Sequence, residues 1–296
     1  MRLIAAFCLC LAAAVAALPA RAADGKDSNK IAVVAAENFY GDIARQIGGD
    51  RVEVISILSN PDQDPHLFET TPGVVRQIAD AKIVILNGAD YDPWMDKLLA
   101  AAPKPDRIVV NAAQITGAKS GSNPHLWYAP ATMPAVATAI AKAFAATDEA
   151  NASDYALRLS ATLASIQRVS LRVAQMKSKY SGAAITATEP VFGLMADALG
   201  LTVGNQRLAL AAMNDTEPSA RDIAAFENDL KERKVRLMLY NKQVSAKLTE
   251  RLRSVAAKAK VPTVGVTETM PAGTTFQDWM LGQLDAVDKA LTGSNS

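Results

Sequence analysis

From Asn151 to Tyr180 the chain carries neither Gly nor Pro, and Gly182 is the first residue to interrupt the run. Leu157, Leu163, Ile166, Val169, Leu171 and Val173 fall near helical spacing with Arg and Lys between them. The pattern predicts one helix of about 28 residues, about 42 Å long at 1.5 Å per residue. A helix of that length between two further halves reads as a rigid strut. The competing reading is an amphipathic helix docked along a single domain.

On both sides of this stretch, apolar runs of strand length alternate with helical periodicity. The first half predicts strands at 31–36, 52–58, 82–86 and 107–110, separated by helices near 39–47, 72–79 and 92–101 and closed by one at 131–146. The second half predicts strands at 183–187, 201–203, 235–240 and 263–266, with helices at 191–199, 220–233, 245–258 and 275–291. Ser219 is the expected N-cap of the 220–233 helix. Alternation of this kind implies parallel sheets with helices on their faces. The expected division is a leader at residues 1–22, a first α/β lobe at 23–150, the linking helix at 151–181 and a second α/β lobe at 182–296. A chain of 296 residues is long enough for two such cores.

Residues 1–22 read as a secretory signal peptide. Arg2 opens it, an apolar run spans 3–18, and Ala20-Arg21-Ala22 is a small-x-small cleavage signal. Cleavage there removes Cys8 and Cys10, the only cysteines, so the mature chain has no disulfide and no thiolate metal site. It also removes Arg2 and Arg21, leaving 29 of 31 basic residues against 30 acidic ones, a net charge of −1. No basic stripe remains to neutralise phosphates, which argues against nucleic acid as a partner. The expected location is the periplasm.

The protein has two histidines, His66 and His125, and they share a context: Asp64-Pro65-His66-Leu67 and Asn123-Pro124-His125-Leu126. Unrelated histidines have no reason to repeat their neighbours, and neutral imidazole is the commonest ligand for transition metals. Both follow predicted strands, at the carboxyl edge where parallel sheets bind ligands. With cysteine absent, carboxylates must complete a site of about four ligands. Glu189, after strand 183–187, and Glu268, after strand 263–266, stand at the same edge of the second half. Two neutral imidazoles and two carboxylates balance a divalent cation, which limits the cost of desolvating it. Glu37 is a rival ligand, and Asp215 and Glu217 are weaker ones better explained by turn and cap chemistry. Trp94 and Trp127 read as core or rim packing.

Asp-Pro-His-Leu-Phe-Glu at 64–69, Asn-Pro-His-Leu-Trp-Tyr at 123–128, Asn38-Phe39-Tyr40, Glu217-Pro218-Ser219 and Val266-Thr267-Glu268-Thr269 are present in this chain. Over essentially the whole mature length it resembles the zinc/manganese solute-binding proteins of bacterial ABC importers. The resemblance implies two α/β lobes joined by one long backbone helix, with the metal between them. It maps the first two ligands to His66 and His125, the third to Glu189 and the fourth to Glu268. Two departures stand out. The histidine-rich loop that many zinc members carry is replaced by Gly117–Ser122, and the fourth ligand is Glu where Asp is usual.

The expected function is therefore periplasmic capture of Zn²⁺ or Mn²⁺ as cargo, by a monomer that docks on an ABC permease with its ATPase. The protein is not expected to be an enzyme. The rivals are a secreted metallohydrolase and an organic-solute receptor or adhesin on the same fold. The hydrolase would need an open coordination position and a positioned base, yet no His-Glu-x-x-His pattern exists and both histidines are spent as ligands.

Overall fold

The computed structural model describes residues 30–61, 68–214, 216–244 and 246–293. The expected signal peptide, the Asp64–Leu67 motif with His66, and Asp215 lie outside the described residues. The first half runs β1 (Ile31–Glu37), α1 (Asn38–Gly48), β2 (Val52–Leu58), α2 (Pro72–Asp80), β3 (Ile83–Leu86), α3 (Pro93–Ala101), β4 (Ile108–Asn111), α4 (Ala112–Thr116) and α5 (Thr132–Thr147). The long helix α6 (Ala152–Tyr180) follows. The second half runs β5 (Ala184–Ala187), α7 (Gly193–Ala198), β6 (Thr202–Gly204), α8 (Gln206–Met213), α9 (Ala220–Lys231), β7 (Met238–Asn241), α10 (Lys247–Ala259), β8 (Thr263–Val266) and α11 (Phe276–Gly293).

Each half forms one four-stranded, all-parallel sheet, in the orders β2-β1-β3-β4 and β6-β5-β7-β8. The two lobes thus repeat one topology, and the order reverses beside β1 in the first and beside β5 in the second. A crevice opens at such a reversal, above the carboxyl ends of the strands. Glu37 and Asn87 stand there in the first lobe, and Glu189 and Asn241 in the second.

Strands covered by helices on both faces need no polar alternation, and β1 and β3 are buried along nearly their whole length. Two helices escape the hydrophobic pattern because local chemistry makes them. Asn111 caps α4 by accepting from the Gln114 N–H at 3.0 Å, and Gly117 ends it in the left-handed region. α8 starts after Asn205, which is itself left-handed at φ 57°. Ser219 caps α9 as expected, accepting from the Asp222 N–H at 3.1 Å.

α6 buries Tyr155, Thr162, Ile166, Val169, Val173, Met176 and Tyr180, a single stripe at helical spacing. It lies along α1 and α5 of the first lobe and α11 of the second, so the strut is docked on both lobes. Its end is pinned to α11: Arg172 bonds Asp285 and Asp288 at 2.8 and 2.9 Å, and Tyr180 and Lys179 bond Asp288 at 2.5 and 3.1 Å. These bonds hold the Asp288 carboxyl down at about 2, the Tyr180 hydroxyl contributing most.

One apolar cluster runs through both lobes. Phe39 packs on Trp127 (ring centroids 4.6 Å apart) and on Trp279 (5.8 Å), and Tyr128 packs on Phe192 (5.3 Å). Residues of both halves therefore share a core under the crevice, while the outer faces of the two sheets have separate cores. Trp127 is buried in the shared cluster, and Trp94 is half-buried against Phe68 at 4.4 Å.

Candidate metal centre

His125 hangs from the segment after Gly121, and two side chains fix it. Asn87 donates from Nδ2 to the Pro124 carbonyl at 2.8 Å, and its Oδ1 receives the Tyr40 hydroxyl at 2.8 Å. Asn123 Oδ1 receives both the His125 backbone N–H (3.0 Å) and ring Nδ1 (2.7 Å), while Asn123 Nδ2 donates to the Pro190 carbonyl of the other lobe at 2.8 Å. That last bond orients the amide, so Nδ1 must carry the ring proton. In the neutral ring Nε2 then carries the lone pair. It makes no hydrogen bond, is buried, and lies 3.4 Å from Glu268 Oε2.

Glu268 is 0% exposed and His125 1%. Asn241, at the end of β7, spans the two acids of the second lobe: its Nδ2 donates to Glu268 Oε1 at 2.6 Å and to Glu189 Oε2 at 3.0 Å. Gln243 Oε1 takes the backbone N–H groups of Glu268 and Thr269 at 2.5 and 3.1 Å. Glu189 is half-buried and borders a cavity of about 210 Å³ shared with Asn123, Ala187, Phe192 and Leu210. Of the expected ligands, His125 and Glu268 therefore stand side by side, and Asn241 links Glu268 to Glu189. His66 lies outside the described residues. Among the described residues no three His, Cys, Asp or Glu side chains form a group that could hold a metal ion.

Tyr91 closes the first-lobe side, its ring 5.8 Å from that of His125. Burial raises its hydroxyl well above the usual range, and the charge of Glu268 raises it further. The turn that aims it is strained: Gly88, Ala89 and Asp90 all have positive φ, at 70°, 51° and 65°. A Cβ on Gly88 would sit 2.7 Å from Asn111 Oδ1, so glycine is required there. Asp92 clamps the turn by accepting the Asn87 and Gly88 N–H groups at 2.8 and 2.7 Å.

Glu37, the rival ligand, faces Asp92 and is fully buried. Burial raises its carboxyl well above the ordinary value, and the charge of Asp92 adds to that. Asp92 itself is pushed up to about 6, by burial against its two backbone donors. Burial beside a second acid thus favours the neutral form of Glu37 more than that of an isolated surface acid. An acid whose folded pKa lies above its unfolded one binds protons on folding, so it destabilises the fold as pH rises. For Asp92 the window is 3.8 to about 6, and for Glu37 it begins at 4.5 and extends higher. In metal-free protein, Glu37→Gln is expected to lose several degrees less of its thermal midpoint than wild type between pH 5 and pH 8. Parallel midpoint curves would exclude a raised Glu37 carboxyl.

Asn87, Asn123, Asn241 and Gln243 were not legible as site residues. Amides are common in loops, and only the repeated strand order shows Asn87 and Asn241 to be counterparts. The Asn123 role had a signal, its place two residues before the histidine.

Two parallel-sheet lobes, a shared backbone helix and inward side chains from both halves define a two-lobed solute-binding protein. The chain belongs to the family described as "ZnuA: Zinc-uptake complex component A periplasmic", whose profile matches residues 33–290. Members are metal solute-binding proteins of ABC importers. The high-affinity zinc uptake system protein ZnuA of Bacillus subtilis is 22% identical over 311 residues, 97% of this chain and 96% of that protein. The periplasmic zinc binding protein TroA from Treponema pallidum superposes with a TM-score of 0.75 at 21% identity, over 88% of this chain and 99% of that one. The SBP FpvC from Pseudomonas aeruginosa, in complex with Mn²⁺, gives 0.74 at 18%, over 90% and 99%. At these identities the superpositions establish the fold. The family is one of transport binding proteins, which leaves the metallohydrolase reading without support. Among the described residues no helix is long and apolar enough to cross a membrane.

Proposed function

We propose that this protein captures a Zn²⁺ or Mn²⁺ ion between its lobes, on His66, His125, Glu189 and Glu268, and delivers it to an ABC permease. The observation that carries this is the 3.4 Å approach of His125 Nε2 to Glu268 Oε2. Both atoms present lone pairs, and both are buried. Two donors each about 2.1 Å from one tetrahedral ion stand about 3.4 Å apart. Asn123 and Asn241 act as outer partners of a metal site do: they fix a ring tautomer and steer carboxylates.

His125 belongs to the first lobe and Glu189 and Glu268 to the second, so the ion is a bridge between lobes. The site's formal charge sums to zero when a dication is bound. The mature chain is taken to begin after residue 22 and to act in the periplasm as a monomer, with the lobes divided by the helix at 151–181.

Elemental analysis of mature protein, stripped with chelator and reloaded, should return one Zn²⁺ or Mn²⁺ per chain with no turnover of ester or peptide substrates. A reloaded protein holding less than about 0.1 ion per chain at micromolar metal, where a nanomolar site is saturated, overturns the reading.

A further inference from the structure

We infer that Asn38, a first-lobe residue, is a positioning residue for Glu268 and sets the rate at which the site releases its ion. The inference rests on the reading of Glu268 as a ligand and extends it to release. Asn38, Asp42 and Gln46 are spaced i, i+4, i+8 along α1, on the face turned to the second lobe. Asn38 Nδ2 donates to the Met270 carbonyl at 2.7 Å, and Asn38 Oδ1 receives the Met270 N–H at 3.0 Å. The side chain thus pairs with a peptide as a neighbouring strand would, and both residues are buried. Asp42 Oδ2 accepts the Phe276 N–H, at the start of α11, at 2.9 Å. Gln46 and Gln277 exchange amide bonds at 3.0 and 2.8 Å.

On the other side of Glu268, the Tyr128 hydroxyl, again from the first lobe, donates to the Thr267 carbonyl at 2.7 Å. The carbonyl before Glu268 and the second residue after it are therefore bonded by the first lobe, while the Thr267 N–H and hydroxyl are bonded by Gln283 and Trp279 of α11. The Glu268 and Thr269 N–H groups are held by Gln243 of the second. This loop cannot follow either lobe without breaking bonds to the other. Moving Glu268 away from His125 to open the site requires the first-lobe bonds to break. The two at Asn38 are the costly ones, because each leaves a buried polar group without a partner. Gln46 makes the same kind of bridge two turns further along α1, to a segment that carries no ligand. It separates positioning from general lobe adhesion.

The test is stopped-flow release of Zn²⁺ and Mn²⁺ from the mature protein into excess chelator, for wild type and single variants. Asn38→Ala is expected to raise the dissociation rate about 10-fold or more, the scale of lost outer-shell support, with the association rate within about twofold. Gln46→Ala is expected to lower the thermal midpoint while leaving release within about twofold of wild type. Tyr128→Phe, which keeps the packed ring and loses only the hydroxyl, should also speed release and serves where Asn38→Ala does not accumulate folded. Release from Asn38→Ala, or in its place Tyr128→Phe, at the wild-type rate overturns the inference, as does equal acceleration by Gln46→Ala. Glu268→Gln separates the two claims. Wild-type affinity in that variant sinks Glu268 as a ligand, whereas weakened affinity there with unchanged release in Asn38→Ala sinks only the positioning role.

Discussion

His125→Ala is expected to weaken Zn²⁺ and Mn²⁺ binding by about 10³-fold or more, about 4 kcal/mol at 1.4 kcal/mol per decade. The loss is large because this imidazole is oriented before the ion arrives. Its Nδ1 is committed to Asn123, its backbone N–H to the same oxygen, and the preceding carbonyl to Asn87. The ring need not reorganise to present Nε2, so the substitution removes a preformed donor. It also removes the imidazole that Glu268 Oε2 approaches at 3.4 Å. Competition against a chromophoric chelator reads the affinity, and near-UV circular dichroism of the metal-free variant shows whether the aromatic cluster around Trp127 stays packed. An affinity within tenfold of wild type, in a packed variant, removes His125 from the ligand set.

The fold could be read from the chain because its large features are local. The helix at 151–180 declares itself through the absence of Gly and Pro, and α6 occupies Ala152–Tyr180. Parallel strands covered on both sides are continuous apolar runs, so β1, β3 and β5 stand out. What could not be read is what depends on a partner far along the chain. The shared core joins Phe39 to Trp279, and no periodicity in either segment announces that contact. α1 looks like an ordinary amphipathic helix until its polar stripe is seen to face Met270, Phe276 and Gln277. Short helices such as α4 were missed because one cap residue creates them.

The site divides along the same line. Histidine is rare here and its context repeats, so His125 stands out in the sequence. The acids are nominated by position at a strand edge, a weaker signal, which leaves Glu37 as a rival to Glu189. The structure separates those two by their neighbours. Glu37 faces a second buried acid, Asp92, and is raised by burial and by that charge, whereas Glu189 sits beside an amide donor and an open cavity. Two facing acids repel each other's charge, whereas an amide donor stabilises a carboxylate. Sequence spacing carries no record of that difference.

Glu189→His should change which metal the protein prefers. The expected set of two imidazoles and two carboxylates offers Mn²⁺ the oxygen donors that suit it, while Zn²⁺ accepts nitrogen and oxygen alike. Exchanging Glu189 for imidazole leaves three nitrogens and one carboxylate and raises the charge of the loaded site from zero to +1. The neighbouring cavity of about 210 Å³ gives the ring room, so the cost is chemical more than steric. Asn241 Nδ2, which now donates to Glu189 and Glu268 together, would keep Glu268 in place. Mn²⁺ affinity is expected to fall on the order of 100-fold, at the upper end of what altered site support costs. Zn²⁺ affinity should stay within about tenfold, so the Zn²⁺/Mn²⁺ ratio rises by about a decade or more, at least 1.4 kcal/mol. Paired competitive titrations of the two ions into chelator-stripped wild type and variant give the ratio directly. An equal loss for both metals would mean that the substitution acts through charge or packing alone, and an unchanged affinity for both would place Glu189 outside the coordination sphere.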